Sequence, residues 1–160
     1  MDAGKILVAK SQGIYIVKFV GDVRLNLCTT LDQYTDQMFA DADFKTVIID
    51  LTETKCIDST SLGQLAKISI LYKDKYGQLP TIVSIQEDVN RILISMGFDK
   101  VFYIVKELVS RVEYMEELPL KSVDEKEMKH RVLEAHKLLM DMNQNNRAAF
   151  QDLVQSLEDN

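Results

Sequence analysis

The stretch TVIIDLTETKCIDSTSLGQLAKISILYKDKYG, residues 46–77, carries the strongest structural signal in this chain. It begins with an almost continuous apolar run at 46–51, which is typical of a strand covered on both faces. A helical pattern follows over 59–76 and stops at Gly77, a residue type that favours the left-handed conformation after a helix. A strand that leads directly into a helix predicts a β–α unit.

Strands and helices alternate on both sides of this unit. Residues 5–9 and 14–20 are rich in β-branched and aromatic types and flank a turn, so they predict a β-hairpin. The other expected elements are a polar loop at 21–26, a helix over about 29–40, strands at 81–85 and 101–105, and helices over about 87–96 and 107–115. The order β-β-α-β-α-β-α-β-α predicts an α/β fold, with helices packed on a mixed sheet of four to five strands.

A second unit is expected after Pro119, so that residues 1–117 form one domain and residues 118–160 form a C-terminal helical extension. Ser122 and Glu125 have the spacing of a capping box at a helix start. Beyond them an apolar seam with one polar member recurs in steps of four and three. Its members are Met128, Val132, Ala135, Leu139, Met142, Asn146, Ala149 and Leu153.

Two arrangements of this extension are compatible with the seam. The seam could dimerise as a coiled coil, or it could fold back onto the first domain. The run NQNN at 143–146 is poor helix material and indicates a division into two helices. We favour an intramolecular helix or helical hairpin.

Composition limits the function classes. The chain has 160 residues and a net charge of −6, from 19 basic and 25 acidic residues, which argues against nucleic acid or an anionic membrane as partner. It has no apolar run long enough to span a membrane and no secretion signal, so we expect a cytoplasmic protein. Cys28 and Cys56 match no metal spacing and are expected to be reduced and buried. We expect His130 and His136 to be solvated or at the rim, and we expect no metal and no cofactor.

Asp58 and the three hydroxyl residues after it, Ser59, Thr60 and Ser61, allow three interpretations. Asp58 or Ser59 caps the helix by accepting hydrogen bonds from first-turn amides. A serine nucleophile is disfavoured because the flanking glycines of G-x-S-x-G are missing and no histidine follows in the sheet-forming part. A phosphorylation site fits, because a helix N-terminus tolerates an added dianion.

The segment VIIDLTETKCIDSTSLGQLAKI resembles the signature of the STAS domain, the anti-sigma factor antagonist family. In that family an apolar strand and a short loop precede Asp-Ser-Ser/Thr-Gly-Leu-Gly at a helix start. The resemblance covers about residues 5–110. It implies partner switching without enzymatic activity: the unphosphorylated protein binds an anti-sigma factor or serine/threonine kinase, phosphorylation prevents binding, and a PP2C-type phosphatase restores it. The extension is similar to that of members that control bacterial biofilm, motility or stress output.

Carried over residue by residue, the resemblance makes Ser59 the phosphoacceptor and Thr60 the second candidate. Gly63 matches the last glycine of the motif. Ser61 stands where the family usually has glycine, so we expect a different backbone there and Ser61 is itself a candidate for modification. Arg24 replaces an acidic residue of the loop, which leaves open which kinase recognises the protein. The expected partner-binding residues are Asp22, Arg24, Asp58, Ser59, Thr60, Ser61, Leu62, Gly63, Lys67 and Leu71.

Two other functions remain open at this point. Some members of the family have been proposed to bind small molecules or nucleotides, although the sequence has no Walker or dinucleotide glycine pattern. The extension could also make the chain an assembly protein through tail-mediated dimerisation.

Overall fold

The computed structural model describes residues 3–107 and 114–160. The strands are β1 Lys5–Ser11, β2 Ile14–Val23, β3 Thr46–Ile57, β4 Thr81–Val83, β5 Tyr103–Val105 and β6 Glu116–Glu117. The helices are α1 Cys28–Ala40, α2 Ser59–Tyr76, α3 Glu87–Ser95, α4 Glu125–Met142 and α5 Gln144–Glu158. The helix expected over about 107–115 falls mainly on residues 108–113, which lie outside the described residues.

The strands form one mixed sheet in the order β5-β4-β3-β2-β1-β6. β1 is antiparallel to both β2 and β6, whereas β2, β3, β4 and β5 run parallel to their neighbours. The predicted α/β class is confirmed. The sheet has six strands where four to five were expected, because Glu116 and Glu117 pair with Val8 and Leu7 at the edge of the sheet.

The predicted hairpin turns at Gln12 and Gly13, which both have positive φ, 53° and 83°. Left-handed backbone at both central positions matches the twist of the strands that a two-residue turn joins. The loop expected at 21–26 is shorter than predicted. Gly21–Val23 continue β2, because they pair with the extended end of β3, and Leu25–Leu27 form a single 3-10 turn.

One hydrophobic core joins the sheet to its helices. Its members include Val17, Phe19 and Ile49 from the sheet and Leu31, Leu65, Leu93 and Leu139 from the helices. Because Leu139 belongs to α4, the extension shares this core.

The extension is a helical hairpin that packs on the first domain, with α4 lying against α2. Asn143 separates the two helices in extended conformation and caps α5, as the polar run predicted. The expected cap at Ser122 is wrong: Asp124 caps α4 and accepts a hydrogen bond from the Glu127 amide at 2.8 Å. A charged carboxylate two residues later therefore takes the capping role.

No helix in the part of the chain that the structure describes has the length and apolar character needed to cross a membrane.

Candidate functional site

Asp58 links the start of α2 to the turn that precedes α1. One carboxylate oxygen accepts from the Ser61 amide and the other accepts from the Leu25 amide, both at 2.8 Å. The backbone amide of Asp58 in turn donates to the Val23 carbonyl at 3.0 Å. One aspartate therefore caps the helix and fixes the loop beside it.

The three hydroxyl residues that follow have different environments. Thr60 and Ser61 are buried, with only 4% and 2% of their surface exposed, whereas Ser59 is partly exposed. The Ser61 Oγ lies 3.8 Å from the Cys28 Sγ. Burial raises the pKa of that thiol to about 12, so Cys28 stays protonated and unreactive. Ser59 is the most accessible of the three hydroxyl residues.

The Ser59 hydroxyl contacts His136 of α4, with 2.8 Å between Oγ and Nε2. The other ring nitrogen, Nδ1, lies 2.7 Å from the Val132 carbonyl oxygen. Because a carbonyl only accepts, Nδ1 carries a proton, and in the neutral ring Nε2 accepts from Ser59. The edge of Phe150 completes the surroundings, with 4.9 Å between the ring centroids.

The expectation for the histidines is wrong at His136. That residue is only 2% exposed, whereas His130 is exposed as expected. The packing of α4 on α2 buries His136, although 77 residues separate it from Ser59 in sequence.

A serine next to a histidine invites comparison with a catalytic dyad. In such sites a buried carboxylate orients the histidine and stabilises the imidazolium that forms. Here the orienting group is the neutral Val132 carbonyl, and the ring is packed against Phe150. The arrangement supports a structural contact better than activation of a nucleophile.

Gly63 lies where α2 and α4 make their closest approach. A Cβ at this position would lie 2.4 Å from the Ala135 Cβ and 2.4 Å from the Ala135 carbonyl oxygen. Only a glycine opposite a small residue permits this spacing. The last glycine of the motif therefore allows α4 to pack closely against α2.

Charged side chains connect α1, α2 and α4 beside this crossing. Asp32 is 7% exposed and accepts from Lys67 at 2.8 Å and from Arg131 at 2.5 Å. Lys67 also lies 3.2 Å from a carboxylate oxygen of Glu134. Burial lowers the pKa of Lys67, but the bonds and charges of Asp32 and Glu134 outweigh it, so that pKa lies above its usual value. Both cations remain charged, and Arg131 also pairs with Glu127 at 2.8 Å.

The other expected partner-binding residues are spread over this region. Leu62 is 1% exposed and belongs to the core, whereas Leu71 is partly exposed on the same helix. In the loop, Arg24 is exposed and the Asp22 carboxylate lies 3.1 Å from the Cys56 Sγ. Cys56 is exposed and Cys28 is buried, so the expected burial holds for one cysteine of the two.

Sequence reasoning missed the residues that α4 contributes: Arg131, Ala135 and His136. Arg131 and Ala135 are four positions apart and therefore share one side of the helix, but that signal does not say what the side packs against. Asp32 was missed because it is a single acidic residue within a helical pattern, two residues after the pair Thr29-Thr30, and nothing in the local sequence marks it as buried.

Within residues 3–107 and 114–160, no group of three or more histidine, cysteine, aspartate or glutamate side chains is arranged to hold a metal ion.

Comparison with known proteins gives one family and several structures of similar fold. The family model for the STAS domain matches residues 5–115. An anti-sigma factor antagonist from Mycobacterium paratuberculosis is 22% identical with a TM-score of 0.54, and the match covers 66% of this chain and 88% of that one. A putative anti-sigma factor antagonist from Thermotoga maritima is 19% identical with a TM-score of 0.56, covering 63% and 86%.

A third similar structure is the Bacillus cell fate determinant SpoIIAA in its phosphorylated form. It is 9% identical with a TM-score of 0.51, and the match covers 64% of this chain and 92% of that one. No curated protein sequence matches this chain. At these identities the structures establish a shared fold.

Proposed function

The chain belongs to the STAS domain family, and from this premise we propose that it is an anti-sigma factor antagonist controlled by phosphorylation of Ser59. The unphosphorylated form binds an anti-sigma factor or a serine/threonine kinase of the partner-switching type. A phosphoryl group on Ser59 blocks that binding, and a PP2C-type phosphatase removes it. The chain is a binding module without catalytic activity or cofactor. It acts in the cytoplasm on biofilm, motility or stress output.

The observation that carries this proposal is the division of roles between Asp58 and Ser59. Asp58 caps α2 through the Ser61 amide, so the helix does not need the Ser59 hydroxyl. That hydroxyl instead points to another element of the chain, at a partly exposed position. A phosphoryl group there would leave the cap in place.

Burial favours Ser59 over Thr60 as the acceptor. A kinase must bring its bound nucleotide to the hydroxyl, and Thr60 is 4% exposed in the folded chain. Ser59 is partly exposed, so a smaller movement admits the kinase.

Electrostatics explain how a phosphoryl group would control binding. It adds about −1.5 to −2 charges at neutral pH beside the Asp58 carboxylate. The positive end of the α2 dipole tolerates this charge, so the fold is retained. An acidic or apolar partner surface would be repelled. The proposed docking surface consists of Asp22, Arg24, Asp58, Ser59, Lys67 and Leu71, together with Gly63, which faces α4. Thr60, Ser61 and Leu62, which the sequence also suggested, are buried and do not belong to it.

We also propose a division of the chain into two parts. We assign residues 1–117 to the STAS domain and residues 118–160 to an appended extension. The match of the family model to residues 5–115 supports this boundary.

The test is a paired capture experiment with full-length Ser59→Ala and Ser59→Asp baits in lysate of the native cell. We expect an anti-sigma factor or kinase to be retained by the first bait and depleted at least about ten-fold from the second. Ser156→Asp, at an exposed position on α5, is the matched control and should capture as the unmodified chain does. Equal capture by the two Ser59 baits would contradict the proposal.

A further inference from the structure

Part of the surface proposed for partner docking is covered by a segment of the same chain. α4 lies along α2, and its Ala135 fills the position opposite Gly63. Even a single Cβ on residue 63 would lie within 2.5 Å of three atoms of Ala135, so a second helix has no room here while α4 is packed on α2. A partner that uses Gly63 can therefore bind only after α4 has moved.

The contacts of α4 are of the kind that a docked partner would make. Arg131 brings a guanidinium to the buried Asp32 carboxylate, and Glu134 brings a carboxylate to Lys67. His136 accepts from the Ser59 hydroxyl. These three interactions pair polar groups of the first domain that are buried or partly buried.

The His136 ring also occupies the space that a phosphoryl group on Ser59 needs. With Nε2 at 2.8 Å from Oγ, no phosphorus and three oxygens fit between them. The ring is held where it is, because Nδ1 donates to the Val132 carbonyl and Phe150 packs against the ring in a T-shaped arrangement. A phosphoryl group that keeps the present direction of the Ser59 hydroxyl therefore requires α4 itself to shift.

We propose that the hairpin α4–α5 is an internal competitor for the docking surface, and that a phosphoryl group on Ser59 and a seated α4 exclude each other. This inference rests on the proposed function for the identity of the partner, but the exclusion itself involves only this chain. The apparent affinity for a partner then equals the affinity of the open chain multiplied by the fraction of molecules that are open.

The chemistry of α4 then defines the partner. It presents a helix with a small residue opposite Gly63. A cationic side chain four positions before the small residue reaches Asp32, and a carboxylate one position before it reaches Lys67. This arrangement copies α4, so the partner replaces its contacts one for one.

The test uses the full-length chain with phosphoserine installed at position 59 during synthesis, and reads hydrogen–deuterium exchange by mass spectrometry. We expect amides of α4 to exchange at least about ten-fold faster than in the unmodified chain, because local opening governs their exchange. Amides of β2 and β3 should not change. Phosphoserine at position 156, on the exposed side of α5, is the matched control and should leave α4 protected.

Unchanged exchange in α4 would overturn the proposal, since the phosphoryl group would then share the site with His136. Loss of protection in the strands of the phosphoserine 59 chain would mean that more than α4 has opened. In that case the Arg131→Glu variant tests the proposal without a phosphoryl group. Its reversed charge repels Asp32, whereas Arg147→Glu makes the same change at an exposed position of α5. Opening confined to α4 and the first turn of α2 in Arg131→Glu supports the proposal, and protection equal to that of Arg147→Glu overturns it.

The two proposals fail separately. Equal capture by the Ser59→Ala and Ser59→Asp baits, together with an α4 that opens on phosphorylation, would refute the proposed function and leave the exclusion intact. Capture by the Ser59→Ala bait alone, together with an α4 that stays closed on phosphorylation, would support the proposed function and refute the exclusion.

Discussion

At the residue scale, Asp58 does more than an ordinary helix cap. It accepts from the Ser61 amide in α2 and from the Leu25 amide in the neighbouring turn. Its loss would leave two backbone donors without a partner at a partly buried position. The residue therefore stabilises both the helix start and the loop that the docking surface includes.

We predict that Asp58→Ala lowers the free energy of unfolding by about 1.5–3 kcal/mol, because a cap and a second charged hydrogen bond are both lost. Urea denaturation followed by circular dichroism measures this. Asp124→Ala provides the comparison, since Asp124 caps α4 at an exposed position through one amide. Its cost should be smaller, and an equal or larger cost would contradict the double role of Asp58.

The residues of the site differ in how far sequence predicts them. Asp58 and Ser59 belong to a contiguous motif, so their position at the start of α2 followed from local pattern alone. His136 is 77 residues away from Ser59 in sequence. It lies in a helix, with Glu134 two positions before it and Lys137 directly after it. Its burial depends on which face of α4 meets α2, and no local pattern contains that information.

At the element scale, helices with a cap at each end were predicted best. α2 begins after Asp58 and ends at Gly77, where φ is 68°, as the sequence indicated. The strand expected at 101–105 begins later, at Tyr103. Val101 and Phe102 instead close the 3-10 turn of residues 98–100, because both amides donate to the Phe98 carbonyl, and Gly97 introduces that turn with a φ of 84°. Apolar character alone did not distinguish a buried turn from a strand.

Asn146 was predicted as the polar member of the apolar seam, but the group to which it binds was not predicted. It interrupts the apolar seam, which is compatible with register control in a coiled coil. In the folded chain it is 2% exposed and donates from Nδ2 to the Met96 carbonyl at 2.9 Å. Asn143 donates to the same carbonyl at 3.2 Å. The joint of the hairpin is thus fastened to the end of α3.

We predict that Asn146→Ala lowers the free energy of unfolding by about 1–2 kcal/mol, because a buried hydrogen bond is lost and a small void remains. Asn145→Ala is the matched control, since the neighbouring side chain is exposed and its loss should cost close to nothing. Thermal and urea denaturation of the two variants would reveal the difference. Equal stabilities would show that the joint is not held through Met96.

At the scale of the whole molecule, the class of fold followed from the alternation of strands and helices. The hairpin was also foreseen as a unit, because NQNN interrupts its seam. What could not be foreseen is where the hairpin docks. That depends on the close approach of Gly63 to Ala135 and on ion pairs between Asp32 and Arg131, which are 99 residues apart.

The docked hairpin changes how the motif is understood. The loop and the start of α2 lie beside the extension, and Ser59 is one of the residues that contact it. A covalent change at that hydroxyl would alter both the charge of the surface and the seating of α4. Control of binding and control of access would then share one residue.

We propose that Ser59 carries the phosphoryl group, and tandem mass spectrometry of the chain purified from its native cells under several growth conditions tests this most directly. We expect a singly phosphorylated fraction with the group on Ser59, and none on Thr60 or Ser61. Phosphorylation confined to Thr60 or Ser61, or no phosphorylated fraction under any condition, would contradict it.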